Sequence, residues 1–387
     1  MATSSDRRPR SRRDWANLDA GPAGLVAEHV LRNDLVDLVH FRAVCRPWRA
    51  WSAHLRPQGV LDRRFLPRRW IMLPRALNNG KGHHRRLFVN LFTGECIRRV
   101  LPAWDRHCHH VLVTTSEGLV LRLSTDIGQL LNPLTGQAAG LPSATSLREN
   151  MQSLNSLWLR GAGLTADDTV VLHFSWSSLA VAKSGDGRWT RIHPHDRITS
   201  ILAFAGRVYC ATSRNISMVQ TRTMANQPPQ LVVAADHKLQ EGFGMLDDFK
   251  YEVDEGRCQM FLVENNGELI LCLCVRGKDT IPMESDVSVY RVDLDAKNIV
   301  PLHGIDGRVL FLGKKIRSLL VPTGVSPNIN ADTAYLCLSK PRYGGATYGI
   351  DLFSGERTKP RFKDDDVAYY LSCYVTEYYN EGIHASF

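Results

Sequence analysis

One short turn motif recurs along this chain, and it limits the fold more than any other feature. It reads Asn90-Leu91-Phe92-Thr93-Gly94-Glu95, running on to Pro102, and Asn132-Pro133-Leu134-Thr135-Gly136-Gln137, running on to Pro142. It returns as Asp351-Leu352-Phe353-Ser354-Gly355-Glu356 before Pro360, and in degenerate form as Asp293-Leu294-Asp295-Ala296-Lys297-Asn298 before Pro301. An Asn or Asp side chain bonds its own backbone two residues on, and glycine takes the left-handed position, so each copy predicts a tight hairpin. The first two copies start 42 residues apart, at 90 and 132; Asn132 and Asp351 are 219 apart, about five such units. One unit of that length is one four-stranded propeller blade. Weaker units near Trp189 and across 200–235 bring the count to about six blades, with seven the other count the spacing allows. A stacked β-sandwich is the alternative arrangement of the same strands.

The stretches between the turns agree. Leu87–Leu91, Leu119–Leu123, Leu269–Cys274 and Val287–Leu294 are short apolar runs of strand length. Turn residues bound them: Ser116-Glu117-Gly118, Ser184-Gly185-Asp186-Gly187 and Asn265-Asn266-Gly267. Asn-Gly between apolar runs is a strong hairpin signal. The large part of the chain is therefore expected to be all-β, beginning at the Trp70-Ile71-Met72-Leu73 strand.

Ahead of it, Trp15–Trp51 has helical spacing. Pro22 suits a first helical turn, where its missing N–H costs nothing. Leu25, Val26, His29 and Val30 then follow one face. Asn33 or Asp34 can cap a second helix, with Asp37 in a capping-box-like position. Leu35, Leu38 and Val39 give one apolar stripe, and Phe41, Val44, Cys45 and Trp48 another. Pro47 opens or kinks a third short helix carrying Trp48 and Trp51. These apolar residues exceed what three short helices bury against each other, so a second protein covering one face is expected. A three-helix cap on the next domain is the alternative use of the same pattern.

Charge is unevenly distributed. The chain carries +9 overall, of which residues 42–86 hold +11, residues 1–13 hold +4, residues 14–41 hold −4 and residues 87–387 hold −2. The basic stretch has few of the interleaved aromatics or Gly-rich loops of single-strand binders, which weighs against nucleic acid. No apolar run approaches the ~18 residues of a membrane span. The Ser/Arg-rich start carries no apolar stretch of a secretory signal. Nine cysteines without framework spacing fit a reducing compartment, cytoplasm, nucleus or both.

The run Phe41-Arg42-Ala43-Val44-Cys45-Arg46-Pro47-Trp48-Arg49, preceded by Trp15-x-x-Leu18 and Asp34-x-x-Asp37, resembles the F-box of plant F-box proteins. The usual Leu-Pro near the start is absent: Leu18 is followed by Asp19, and the nearest proline is Pro22. Residues 90–102, 131–142, 306–313 and 349–352 resemble the KIB-type, kelch-like β-propeller that follows the F-box in such proteins. The resemblance covers nearly the whole chain and is weakest over 145–260. With the resemblance added to the charge and strand patterns, the chain is expected to divide into a disordered basic tail at 1–13, an F-box at 14–51, a linker at 52–69 and a propeller at 70–387. The resemblance also implies docking on a Skp1-like adaptor, and through it a cullin, by Leu18, Pro22, Leu25, Val26, Val30, Leu31, Leu38, Val44, Cys45 and Trp48. The propeller would bind a target protein for a ubiquitin ligase, with no enzyme chemistry of its own. A non-ligase propeller scaffold with a degenerate F-box is the alternative.

No catalytic set stands out. His107-Cys108-His109-His110 lacks the second ligand pair a structural zinc needs, and His83-His84 is too loosely related. A central-channel hydrolase would need clustered acids or histidines on inner strands, and none is seen. Gly344-Gly345 lacks the strand-turn-helix context of a phosphate loop. Cys272 and Cys274 share a strand face and suit core filler; Cys45 suits a small buried hydrophobe. Asp364-Asp365-Asp366 reads as a solvated acidic turn. No metal and no cofactor are expected.

Overall fold

A computed structural model of the chain describes residues 15–54, 61–74, 85–101, 111–147, 159–174, 178–221, 227–236, 258–275, 285–313, 318–337 and 347–376. The 1–13 tail, His83-His84, His107-Cys108-His109-His110 and Gly344-Gly345 lie outside the described residues.

A 3-10 turn at Trp15–Asn17 leads into α1 (Ala20–Asn33), α2 (Leu35–Val44) and α3 (Arg46–Ala50). Pro22 sits in the first turn of α1. Asp34 is extended (φ −154°, ψ 141°) and breaks α1 from α2. Its carboxylate accepts the Val36 N–H at 2.7 Å, capping α2. Asp37 does not complete a capping box; it accepts from Asn33 Nδ2 at 3.0 Å. Cys45 is extended too (φ −156°, ψ 168°), so Pro47 falls in the first turn of α3. Ala27, Leu35, Leu38, Phe41 and Phe65 form the module's core. The Phe41 and Trp48 rings stack at 4.5 Å and 20°. The Arg42 guanidinium donates to Ser52 Oγ and to the Ala53 carbonyl, each at 2.7 Å, tying down the chain after α3.

The strands form six sheets arranged as the blades of a propeller. The first holds β1 (Trp70–Met72), β2 (Arg85–Asn90) and β3 (Cys96–Val100). The second holds β4 (Val111–Thr114), β5 (Val120–Leu123), β6 (Gly128–Leu131) and β7 (Ala138–Leu141). The third holds β8 (Leu159–Leu164), β9 (Val170–Phe174), β10 (Ser178–Ala182) and β11 (Thr190–Ile192). The fourth holds β12 (Ile198–Phe204), β13 (Arg207–Thr212), β14 (Asn215–Gln220) and β15 (Gln230–Asp236). The fifth holds β16 (Cys258–Asn265), β17 (Glu268–Val275), β18 (Asp286–Asp293) and β19 (Asn298–Leu302). The sixth holds β20 (Arg308–Gly313), β21 (Ser318–Pro322), β22 (Thr333–Cys337), β23 (Thr347–Asp351) and β24 (Arg357–Thr358), in the order β21-β20-β22-β23-β24 with β20 and β22 parallel.

The repeated motif occupies one equivalent place, the outer hairpins β2–β3, β6–β7, β18–β19 and β23–β24. Asn90 Oδ1 accepts the Phe92 and Thr93 N–H groups at 2.9 and 3.2 Å. Asn132 Oδ1 accepts Leu134 and Thr135 at 3.0 and 3.2 Å. Asp351 Oδ1 accepts Phe353 and Ser354 at 3.0 and 2.7 Å, and Asp293 Oδ1 accepts Asp295 and Ala296 at 3.1 and 2.8 Å. Gly94, Gly136 and Gly355 take φ of 72°, 78° and 71°, and in the degenerate copy Lys297 takes 55°. The weak units near Trp189 and 200–235 are the third and fourth blades.

Each sheet packs both faces against its neighbours, so the core is a ring of inter-blade layers. Leu121, Leu172 and Ala180 lie in the layer between the second and third blades; Val171, Val208 and Cys210 lie between the third and fourth. Burial on both faces is why β9 and β17 read as continuous apolar runs, not alternating ones. Cys272 and Cys274 are both in the core.

The first blade has three strands, and a C-terminal helix, α4 (Val367–Thr376), packs between it and the sixth. Leu371, Tyr374 and Val375 share one core with Trp70, Met72, Phe88, Phe311 and Tyr335. Gly313 lets the two elements meet: a Cβ there would stand 1.9 Å from the Val375 carbonyl oxygen. Asp366, read from sequence as part of a solvated turn, is instead the anchor of α4. It accepts the Ala368 N–H at 2.9 Å, the Ser326 hydroxyl at 2.7 Å and an Asn328 amide hydrogen.

Candidate interaction surfaces

The helical module is fastened to the propeller by one buried carboxylate. Besides capping α2, Asp34 accepts the Trp70 indole N–H at 3.0 Å and Asn90 Nδ2 at 2.8 Å. Asn90 is the anchor of the first turn motif, so the same residue shapes the blade and holds the module. Arg69 adds a bond from Nη1 to Asn33 Oδ1 at 2.7 Å. The second half of the stretch expected as a linker is packed as well. Phe65 sits in the module core, its carbonyl accepts from Asn132 Nδ2 at 2.7 Å, and Arg63 donates to the Thr165 carbonyl at 2.9 Å and Asp168 at 3.0 Å.

With its inner face held, the module turns the other outward. Eleven large hydrophobic residues are exposed among the described residues, and five belong to this small module: Trp15, Leu25, Val26, Val44 and Trp51. On α1, Ala23 and Ala27 face inward. Pro22, Leu25 and Val26, spaced i, i+3 and i+4, therefore form one outward stripe; Leu25 is 70% exposed.

The ten residues expected to contact an adaptor divide accordingly. Pro22, Leu25, Val26 and Val44 are exposed. Leu18, Val30, Leu31, Cys45 and Trp48 are half-buried; Trp48 Nε1 donates to the Trp15 carbonyl at 2.9 Å. Leu38 is fully buried in the module's core and offers no surface as the chain stands. Exposed Trp15 and Trp51 were not in the expected set, although both tryptophans are visible in the sequence at the ends of the helical pattern.

A second surface opens beside the module. The inner edges of the sheets surround a central channel of about 470 Å³, lined by β4, β8, β12, β16 and β21 and by Trp70, Ile71 and Tyr374. At the mouth on the module's side, the Phe92 ring carries the Arg69 guanidinium at 4.4 Å and that of Arg308 at 5.6 Å. Arg308 Nη2 is held by Asn266 Oδ1 at 2.5 Å. Nearby Glu117 is buried in the β4–β5 turn, where desolvation lifts its carboxyl above the ordinary range despite a bond from the Leu164 N–H at 3.1 Å. Burial likewise pushes the Cys337 thiol up to about 12, so it has no reactive thiolate. Sequence reading missed the arginine–phenylalanine stack. Its signal was the third position of the turn motif, where Phe92, Leu134 and Phe353 all present a large apolar side chain.

Among the described residues no cluster of His, Cys, Asp and Glu could hold a metal ion, and no helix is long and apolar enough to cross a membrane.

Comparison with known proteins gives one family. The family described as KIB1-4 beta-propeller matches residues 88–370. No curated protein matches the sequence. Among solved structures, a streptogramin B lyase is similar at 8% identity over 73% of this chain and 74% of that one, with a TM-score of 0.31. The extracellular domain of a putative hybrid two-component system from B. thetaiotaomicron aligns at 11% over 77% and 39%, with a TM-score of 0.32. PorZ of Porphyromonas gingivalis aligns at 11% over 76% and 39%, with a TM-score of 0.33. The chain thus spans about two fifths of the length of the last two, and similarity this low bears on neither mechanism nor partner.

Proposed function

The chain belongs to the KIB1-4 β-propeller family, a protein-interaction propeller, and on that footing we propose that it is the substrate-recognition subunit of an SCF-type ubiquitin ligase. The helical module acts as an F-box that docks on a Skp1-like adaptor and through it on a cullin, and the propeller holds the target protein. The chain is not an enzyme; it supplies proximity, and other subunits do the chemistry. It works in the cytoplasm, the nucleus or both.

One observation carries this reading. The module's inner face is fixed to the propeller through Asp34, while Pro22, Leu25 and Val26 stand outward with nothing of this chain over them among the described residues. A rigid mount under an open apolar stripe is what helix-in-groove recognition uses. Burying such side chains is worth about 1.5–3 kcal/mol each, enough to hold a partner when several act together. The opposing observation is Leu38, wholly within the module, with Val30, Leu31 and Trp48 partly so. It favours the second reading, a propeller scaffold whose helical cap binds no adaptor.

Co-elution of the purified full chain with a recombinant Skp1-like protein separates the two. The ligase reading expects a stoichiometric complex that Leu25→Asp with Val26→Asp abolishes while the melting temperature stays unchanged. A chain that never co-elutes belongs to the scaffold reading.

A further inference from the structure

The strongest unassigned feature is the channel mouth. Among the described residues, its charged lining is Arg68, Arg69, Arg160 and Arg308 against a single carboxylate, Glu264. The two arginines on Phe92 are held by neutral groups. Arg69 bonds the Asn33 amide oxygen, and Arg308 bonds that of Asn266. Among the described residues neither forms an ion pair. Nearby acids are already engaged: Asp306 accepts from Asn265 Nδ2 at 2.8 Å, and Asp332 accepts the Ile305 and Gly307 N–H groups at 2.7 and 3.2 Å. Two guanidinium groups are thus oriented in advance with no carboxylate bonded to either among the described residues, which lowers the cost of ordering them on a ligand.

Further apolar contact is provided at the turn next to the mouth. Phe353 is 67% exposed on the third copy of the turn motif and lies over Gly304, at the turn that leads into Arg308. Leu134, at the same motif position, packs against the helical module. One copy of the motif thus already uses this position to hold another protein element. Phe92 and Phe353 then flank the 304–308 turn on the face of the propeller that carries the module.

We infer that this mouth binds an acidic, partly apolar peptide segment of a partner protein, with its carboxylates on Arg69 and Arg308 and its apolar side chains on Phe92 and Phe353. A nucleic-acid strand is disfavoured, because the carboxylate of Glu264 sits in the lining beside the arginines and would repel a phosphate backbone. The inference rests on the propeller being the target-binding part, and it does not need the adaptor contact.

Fluorescence anisotropy of the purified full chain tests it. The probes are a labelled peptide of alternating glutamate and leucine, its lysine–leucine counterpart, and a labelled oligouridylate. The expected result is binding of the acidic peptide alone, weakened by added salt. Arg69→Gln and Arg308→Gln should each weaken it about tenfold, the loss of one charge-assisted contact. No binding of the acidic peptide, equal binding of the lysine peptide, or tighter binding of the oligouridylate overturns the inference, and none of these needs a variant to fold. Full affinity in a correctly melting Arg308→Gln also overturns it. Leu25→Asp with Val26→Asp should leave the peptide affinity untouched, so failure of the adaptor reading and failure of this one are read separately.

Discussion

Replacing Asp34 with alanine should release the helical module from the propeller. The carboxylate makes three kinds of bond at once: it caps α2 through Val36, and it satisfies the Trp70 indole and the Asn90 amide. Loss of an N-cap costs about 1 kcal/mol. Trp70 is 2% exposed and Asn90 3%, so both donors would be left without water or acceptor. Each such orphan costs about 1–3 kcal/mol, bringing the total to about 3–7 kcal/mol. Asp34→Asn keeps one acceptor but turns an amide donor toward other donors, so it should fall between alanine and wild type. Hydrogen exchange is the direct assay. At the lower bound of about 3 kcal/mol, amides of α1 and α2 should exchange about 100-fold faster. Amides of β9 and β17, deep in the propeller, should keep their protection. Unchanged exchange in α1 and α2 would refute the idea that this carboxylate mounts the module.

Three further outcomes follow from the same geometry. Glu117 has its carboxyl raised by burial, so its contribution to stability is fully present below the unfolded carboxylate value of about 4.3 and is lost as pH rises through the folded one. Glu117→Gln should therefore raise the urea midpoint at neutral pH, with the gain shrinking toward about pH 4; a gain that grows on acidification would contradict this. Gly313→Ala places a methyl against the Val375 carbonyl and should cost at least about 1–3 kcal/mol, read as a lower melting temperature through displacement of α4. Gly355→Ala meets no atom within 4 Å, so only its φ of 71° resists the change; about 1–2 kcal/mol is expected in chemical denaturation, and a neutral result would show that the turn relaxes.

Much of this architecture is legible in the sequence because the turn motif couples chemistry to place. An Asx residue and a glycine four positions on define one hairpin geometry, and a spacing of 42 residues leaves room for four strands per copy. The third and fourth blades carry no copy of the motif, and their presence was visible only as weak strand patterning. Asp34 was legible as a cap from its position ahead of an apolar run. Its second use, accepting from Trp70 and Asn90, was not, because those partners lie 36 and 56 residues away. Closure of the ring by α4 was hidden for the same reason: Val367–Thr376 is apolar enough to pass for a strand, and nothing local names its neighbours. Of the residues that the resemblance assigns to an adaptor, Leu25 and Val26 are exposed, whereas Leu38 is consumed by the module itself. Periodicity marks which residues are apolar; it does not mark which side of a helix the tertiary packing will cover.

Titration calorimetry of the intact chain with a purified Skp1-like protein tests the account most directly. One-to-one binding with a negative heat-capacity change, the mark of apolar surface leaving water, is the predicted result, with no measurable heat from the Leu25→Asp, Val26→Asp double variant. Absence of binding by the wild-type chain, or undiminished binding by that folded double variant, would contradict it.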